Sequence, residues 1–207
     1  MKVNLNEITT GLQQASRAPS SHNCQPWASV VLDSNHHRQA FCQANQLPFS
    51  DDTTIIIFGV HTDRILTTLS HHEVEMQLSI GAYIEALITS LKANIHPEII
   101  WVLEEKELSI TPIKDWPTHC KPVLALSLKN DLTQHRTTEY ANCLTSRRTH
   151  RLQYKNKPIT AEQQRLLTST QAHLDQDNQA GLSTEIITDP KAIKKFGQFI
   201  SDHAAIE

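Results

Sequence analysis

The sequence predicts an α+β fold, a mixed and largely antiparallel sheet flanked by helices. Two patterns carry that expectation. Four short runs are rich in apolar and β-branched residues: WASVVL from Trp27, TIIIFGV from Thr54, EIIWVLE from Glu98 and KPVLALSL from Lys121. Each has the length and composition of a strand. One longer segment, from about His72 to Lys92, is apolar over much of a helical circumference, which marks a helix near the centre of a fold. At 207 residues the chain suits one large domain or two small ones and can bury a real core.

The elements follow in order. Leu5, Ile8, Leu12 and Ala15 recur at helical spacing, with Asn4 or Asn6 able to cap the start. Ala18-Pro19 stops that helix, because a residue before proline is pushed out of the helical region. The polar loop SRAPSSHNCQPW leads into the first strand, Trp27 to Leu32. A short helix is expected around His37–Ala44, then a buried strand from Thr54 to Val60. In the long helix Val74, Leu78, Ala82, Leu87 and Leu91 form one stripe, which Ile80, Ile84 and Ile88 broaden. Gly81-Ala82 costs helix propensity but allows close approach of another backbone or a flat ligand. Strands over Glu98–Glu104 and Lys121–Leu128 follow, joined through Pro112, Trp116 and Pro117. KNDLTQH marks a boundary near residues 129–135, and a helix is expected from Arg136 to Ser146. Thr160 with Gln163 reads as a capping box. LSTEIIT, Leu182–Thr188, reads as a fifth strand, and Asp189-Pro190 opens a last helix carrying Ile193, Phe196 and Ile200.

Composition excludes several classes. A net charge of −3 gives no surface for nucleic acid or anionic membrane. No apolar run approaches the roughly 20 residues of a membrane span, and MKVNLNEITT has no signal-peptide apolar region, so the expected compartment is the cytoplasm. Cys24, Cys42, Cys120 and Cys143 lack metal or redox spacing and read as reduced thiols. Cys24 lies inside the polar loop, as a reactive thiol or simply a small residue that fits the turn. Through glycines 11, 59, 81, 181 and 197 neither GxGxxG nor GxxxxGK[ST] can be drawn, so a Rossmann fingerprint and a P-loop are both unsupported. Twelve histidines form no HExxH or HxH pattern, so no metal site is expected.

Two stretches carry chemistry. In the loop, Pro19 fixes the backbone while Ser20, Ser21, Asn23 and Gln25 offer uncharged donors and acceptors to a polar, flat ligand. Far along the chain, Arg147, Arg148, Thr149, His150 and Arg151 form a cationic cluster. Arginine forks match phosphate oxygens, although cations also complement the end of the preceding helix. A sugar alcohol, a ring edge and a phosphate together describe flavin mononucleotide (FMN).

RAPSSHNCQPW resembles the APSSxNxQPW loop of the nitroreductase family, and RRTHRLQYKNKPITAEQQRLL resembles its RRSxRxF…PI…E…LL segment. The segment VHTDRIL…EMQLSIGAYIEALITSLKA is similar to the family's central helix. The resemblance implies a nitroreductase-like fold, bound FMN, and hydride transfer from NAD(P)H to a nitroaromatic or quinone-like acceptor. Arg147 and Arg151 match the phosphate-binding cations, Thr149 the serine between them, and Arg148 a more variable position. Pro19, Ser20, Ser21 and Asn23 match the loop along the ribityl chain and ring edge, with Gln25 and Trp27 as supports. Arg17 either aids the phosphate or faces solvent. Tyr154 stands where the family often has phenylalanine.

In ordinary members the arginine segment precedes the loop, and FMN lies between two subunits. Here the order is reversed. The resemblance therefore implies a tandem branch: residues 1–130 are a first nitroreductase-like half, and 131–207 are the start of an incomplete second half. The two motifs would meet across an internal pseudo-dimer interface, and homodimerisation is expected to cover apolar surface after residue 130. No catalytic residue is nominated, because the family's groups near flavin N5 and N1 come partly from later segments. The alternatives are a non-catalytic flavin-binding or storage protein or a degenerate truncated member, and, third, a structural α+β domain with no ligand.

Overall fold

In the computed structural model the described residues are 2–68, 72–103, 107–133, 141–150, 152, 157–176 and 185–204. They cluster into two compact units, Met1–Thr149 and His150–Glu207. The first unit holds helix α1 (Leu5–Ala15), β1 (Trp27–Leu32), α2 (Asn35–Asn45), β2 (Thr53–His61), α3 (His72–Ser90), β3 (Ile95–Val102), β4 (Cys120–Asn130) and α4 (Ala141–Ser146). Residues 136–140 of the expected fourth helix lie outside the described residues.

The sheet runs in the order β1-β2-β4-β3, and all three pairings are antiparallel. Its central strand β2 is buried continuously from Thr54 to Gly59. The reason is that both faces are covered. Ile56 and Phe58 pack with α1 and α3, while Ile55 and Ile57 pack with Phe41 and Cys42 of α2. A strand between two helical layers needs apolar side chains on both faces, so the run shows no alternation. The prolines within strands stand where a missing N–H does least harm. Pro97 is on edge strand β3, and Pro122 of β4 sits at the bulge opposite Gly59. Gly59 is constrained to glycine there: a Cβ would lie 2.9 Å from the Lys121 carbonyl oxygen and 3.1 Å from Trp116.

Helices α1 and α3 pack closely on one face of the sheet. A Cβ on Gly11 would come within 2.9 Å of Leu87, and Ser90 Oγ donates to the Gly11 carbonyl at 3.2 Å. Leu87 is fully buried where the two helices meet the sheet. The covered side of α3 carries Met76, Ser79, Ile80, Tyr83, Ala86 and Leu87. Val74 and Leu78 of the expected stripe instead stand 56% and 68% exposed. Period 3.6 locates an apolar face but does not say which part of a broad face finds a partner. Leu144 packs against the same core, which brings the end of α4 next to α1 and α3.

The second unit contains α5 (Ala161–Gln176) and α6 (Pro190–Ala204). The capping box forms: the Thr160 N–H donates to Gln163 Oε1 at 2.8 Å, and the Gln163 N–H donates to Thr160 Oγ1 at 3.2 Å. Asp189 caps α6, its Oδ2 accepting from the Ala192 N–H at 2.7 Å. The fifth strand does not form where it can be seen. Residues 185–189 are irregular, and 182–184 lie outside the described residues. A β-branched run becomes a strand only beside an edge that accepts its hydrogen bonds.

Two outcomes follow. Leu87→Ala leaves a cavity between α1, α3 and the sheet and is expected to destabilise the protein by about 2–5 kcal/mol, read by urea unfolding. Asp189→Ala is expected to reduce helicity in the second unit, at a cost of about 1 kcal/mol, seen by circular dichroism as earlier thermal loss of signal.

Candidate functional site

The loop after α1 is held in an unusual backbone. His22, Asn23 and Gln25 have φ of 48°, 59° and 49°. This left-handed region disfavours residues with a Cβ, asparagine least. Local hydrogen bonds define the turn. The Asn23 N–H donates to the Ser20 carbonyl at 3.1 Å, and the Cys24 N–H to the Ser21 carbonyl at 2.9 Å. Ser20 Oγ accepts from the Gln25 N–H at 3.0 Å. The far end is anchored in the core. The Pro26 carbonyl accepts from the His61 N–H at 2.6 Å, and Trp27 stacks on Tyr83 with parallel rings 4.8 Å apart. Tyr83 in turn meets Phe58 edge-on, and its buried phenol is pushed above its ordinary pKa by desolvation, partly offset by the Ser29 hydroxyl.

The loop is also fastened to α3. The Ser21 N–H donates to Ser79 Oγ at 3.1 Å, and Ser21 Oγ donates to the Glu75 carboxylate. Ser79 Oγ donates to the Glu75 carbonyl at 2.7 Å. Between loop and helix lies an open groove of about 260 Å³, lined by Pro19, Ser20, Ser21, Glu75, Leu78, Ser79 and Ala82. That is below the roughly 300–1,000 Å³ that encloses a whole small ligand, so the groove suits one edge of a ligand. A larger cavity of about 540 Å³, bounded by Val60, Ile65, Met76, Ile80, Leu103 and Val123 among others, contains none of the sequence-predicted site residues.

The arginine segment reaches the same loop. Arg147 places Nε at 3.0 Å and Nη2 at 2.8 Å from the carbonyl oxygen of Arg17. Arg17 answers by donating from Nη1 to the Thr145 carbonyl. Arg147 Nη1 lies 3.5 Å from Thr149 Oγ1, and Arg148 Nη1 donates to the Arg147 carbonyl at 2.8 Å. Arg17, Arg148 and Thr149 are exposed and Arg147 is half-buried. Among the described residues none of these three arginines pairs with a carboxylate. The cluster is therefore electropositive and open to an anion. Arg151 and Tyr154 lie outside the described residues.

The structure thus brings Arg17, Pro19, Ser20, Ser21 and Asn23 together in one loop, with Arg147, Arg148 and Thr149 joined to it at Arg17. Pro19 and Asn23 are exposed and Ser20 and Ser21 half-buried. Sequence reasoning missed Glu75 and Ser79, whose four-residue spacing puts both on one helical face. Among the described residues no group of three or more His, Cys, Asp or Glu could hold a metal ion. No helix there is long and apolar enough to cross a membrane. The four cysteines carry no disulfide: Cys24 is half-buried, Cys42 and Cys120 are buried, and Cys143 is exposed.

No protein-family model matches the chain, and no curated protein matches it. Solved structures do. A protein from Parabacteroides distasonis, named an NADH dehydrogenase/NAD(P)H nitroreductase, superposes with a TM-score of 0.51 at 15% identity, covering 74% of this chain and 89% of that one. A nitroreductase from Exiguobacterium sibiricum, solved in complex with FMN, superposes with a TM-score of 0.50 at 17% identity, covering 64% and 80% of the two chains. Among the described residues, helices around a four-stranded antiparallel sheet make an α+β fold, and it is the nitroreductase-like fold that these two structures share with the chain.

Proposed function

We propose that this chain binds FMN and acts as a nitroreductase-type oxidoreductase, passing hydride from NAD(P)H to a nitroaromatic or quinone-like acceptor. The observation that carries the reading is the two-pronged contact of Arg147 with the Arg17 carbonyl. It sets a cationic cluster against a loop of hydroxyls, two chemistries that a flavin phosphate and its polyol chain require. The nitroreductase fold supports the same reading, as does the FMN bound to the Exiguobacterium sibiricum protein.

The residues present fit the group. Arg147, with Arg17, Arg148 and, by its sequence position, Arg151, would hold the phosphate through charge-assisted hydrogen bonds, and Thr149 adds a neutral donor. Ser20, Ser21 and Asn23 would line the polyol and ring edge, and Pro19, Leu78 and Ala82 would offer an apolar floor. Bound FMN supplies the hydride chemistry, since hydride transfer is the cofactor's own reaction. The protein binds, orients and excludes water. Because the groove is small and open, a further surface must cover the rest of the ligand. We assign that to the tandem arrangement, with residues 1–130 and 131–207 as two nitroreductase-like halves, or to a second copy in a homodimer. The exposed Val74 and Leu78 on α3 would lie under such a cover. A cytoplasmic setting with free NAD(P)H belongs to the same proposal.

Purified protein mixed with FMN and passed through a desalting column should retain flavin, seen as absorbance bands in the blue and near-ultraviolet. Arg147→Ala should lower flavin affinity by about tenfold or more, since hydrogen bonds to charged groups contribute about 1.5–3 kcal/mol each. Flavin-free protein after this treatment would end the reading. NADH oxidation with a quinone then separates an enzyme from the alternative, a flavin store without turnover.

A further inference from the structure

The hydroxyls of the loop have defined hydrogen-bond directions, and a residue outside both sequence motifs sets them. Ser79 Oγ donates its one proton to the Glu75 carbonyl at 2.7 Å, so it can only accept from the Ser21 N–H, at 3.1 Å. Ser21 Oγ donates its one proton to the Glu75 carboxylate. A carboxylate accepts and cannot donate, whereas a hydroxyl has one proton and two lone pairs. Ser21 is thereby left with lone pairs and no free proton. Ser20 is in the opposite state. Its Oγ accepts from the Gln25 N–H at 3.0 Å and keeps its proton to give. Both serines line the groove floored by Leu78 and Ala82.

We propose that Glu75 is a positioning residue that orients Ser21 as an acceptor beside Ser20 as a donor, so that the groove selects a polyol. This inference rests on the flavin reading above and extends it to a specificity determinant. A ligand hydroxyl can accept from Ser20 while it or its neighbour donates to Ser21. A phosphate dianion, the main form above about pH 6, has no proton to donate, so it gains nothing at Ser21 and is left to the arginines. Glu75 therefore divides the ligand, polyol to the loop and phosphate to the cationic cluster. It acts through Ser21 and need not touch the ligand.

Riboflavin, which has the polyol and no phosphate, isolates this term. Its affinity for the full chain can be measured by quenching of flavin fluorescence, beside that of FMN, for wild type, Glu75→Met and Glu75→Gln. Methionine keeps the side-chain length and helix propensity without an oxygen acceptor. Glutamine restores an oxygen that can accept from Ser21. Glu75→Met is expected to weaken riboflavin and FMN by the same factor, about tenfold. Glu75→Gln is expected to return both to within about threefold of wild type, with the thermal midpoints of the two variants alike. Such rescue at equal stability is not what a merely structural glutamate would give. Wild type that binds flavin, with Glu75→Met binding riboflavin equally well or Glu75→Gln as weak as Glu75→Met, would overturn the inference and leave the flavin reading standing. Wild type that binds neither flavin would instead bring down the flavin reading, and the inference with it.

Discussion

The contact between the Arg147 guanidinium and the Arg17 carbonyl joins positions 130 residues apart. Everything proposed about the site depends on it. A guanidinium can bridge to one carbonyl oxygen through Nε and Nη2 and still present its other nitrogen outward. The carbonyl it chooses lies two residues past the end of α1, in the loop, where no helical or strand N–H is its partner. The arginine thus satisfies the backbone of the loop while its charge stays at the surface. The reciprocal bond from Arg17 to the Thr145 carbonyl makes the junction two-sided.

That junction is possible because α1, α3 and α4 share one apolar core over the sheet. Leu144 draws the end of α4 onto it, and Gly11 lets α1 approach α3 closely. The same helix α3 then serves two surfaces. Its covered side, with Ile80, Tyr83 and Leu87, holds the fold together. Its neighbouring side, with Glu75, Leu78, Ser79 and Ala82, forms one wall of the groove. The left-handed residues of the loop are retained because Trp27 on Tyr83 at one end and Ser21 on Glu75 and Ser79 at the other fix both ends of the turn. Strain held by its surroundings in this way is common where a backbone must meet a ligand.

Much of the fold was legible in the sequence because strands and helix starts are local. WASVVL and TIIIFGV became β1 and β2 nearly to the residue, and Asn4, Thr160 and Asp189 cap as their types suggest. The misreadings concern what lies opposite. Val74 and Leu78 belong to an apolar stripe that nothing covers among the described residues, and residues 185–188 have strand-like side chains but no ladder. The meeting of loop and arginines was legible only through the family resemblance, since no periodicity relates residue 17 to residue 147. Glu75 and Ser79 were not legible at all, because a sequence does not say which polar face of a helix a distant loop will find.

The central claim, that the arginine segment reads the phosphate while the loop reads the rest of the ligand, is tested most directly by one thermodynamic cycle. The affinities of FMN and riboflavin are compared in wild type and in Arg147→Ala. The account predicts that wild type prefers FMN by about tenfold or more, and that the substitution removes most of this preference because FMN loses more affinity than riboflavin does. An undiminished preference for FMN in Arg147→Ala would contradict it.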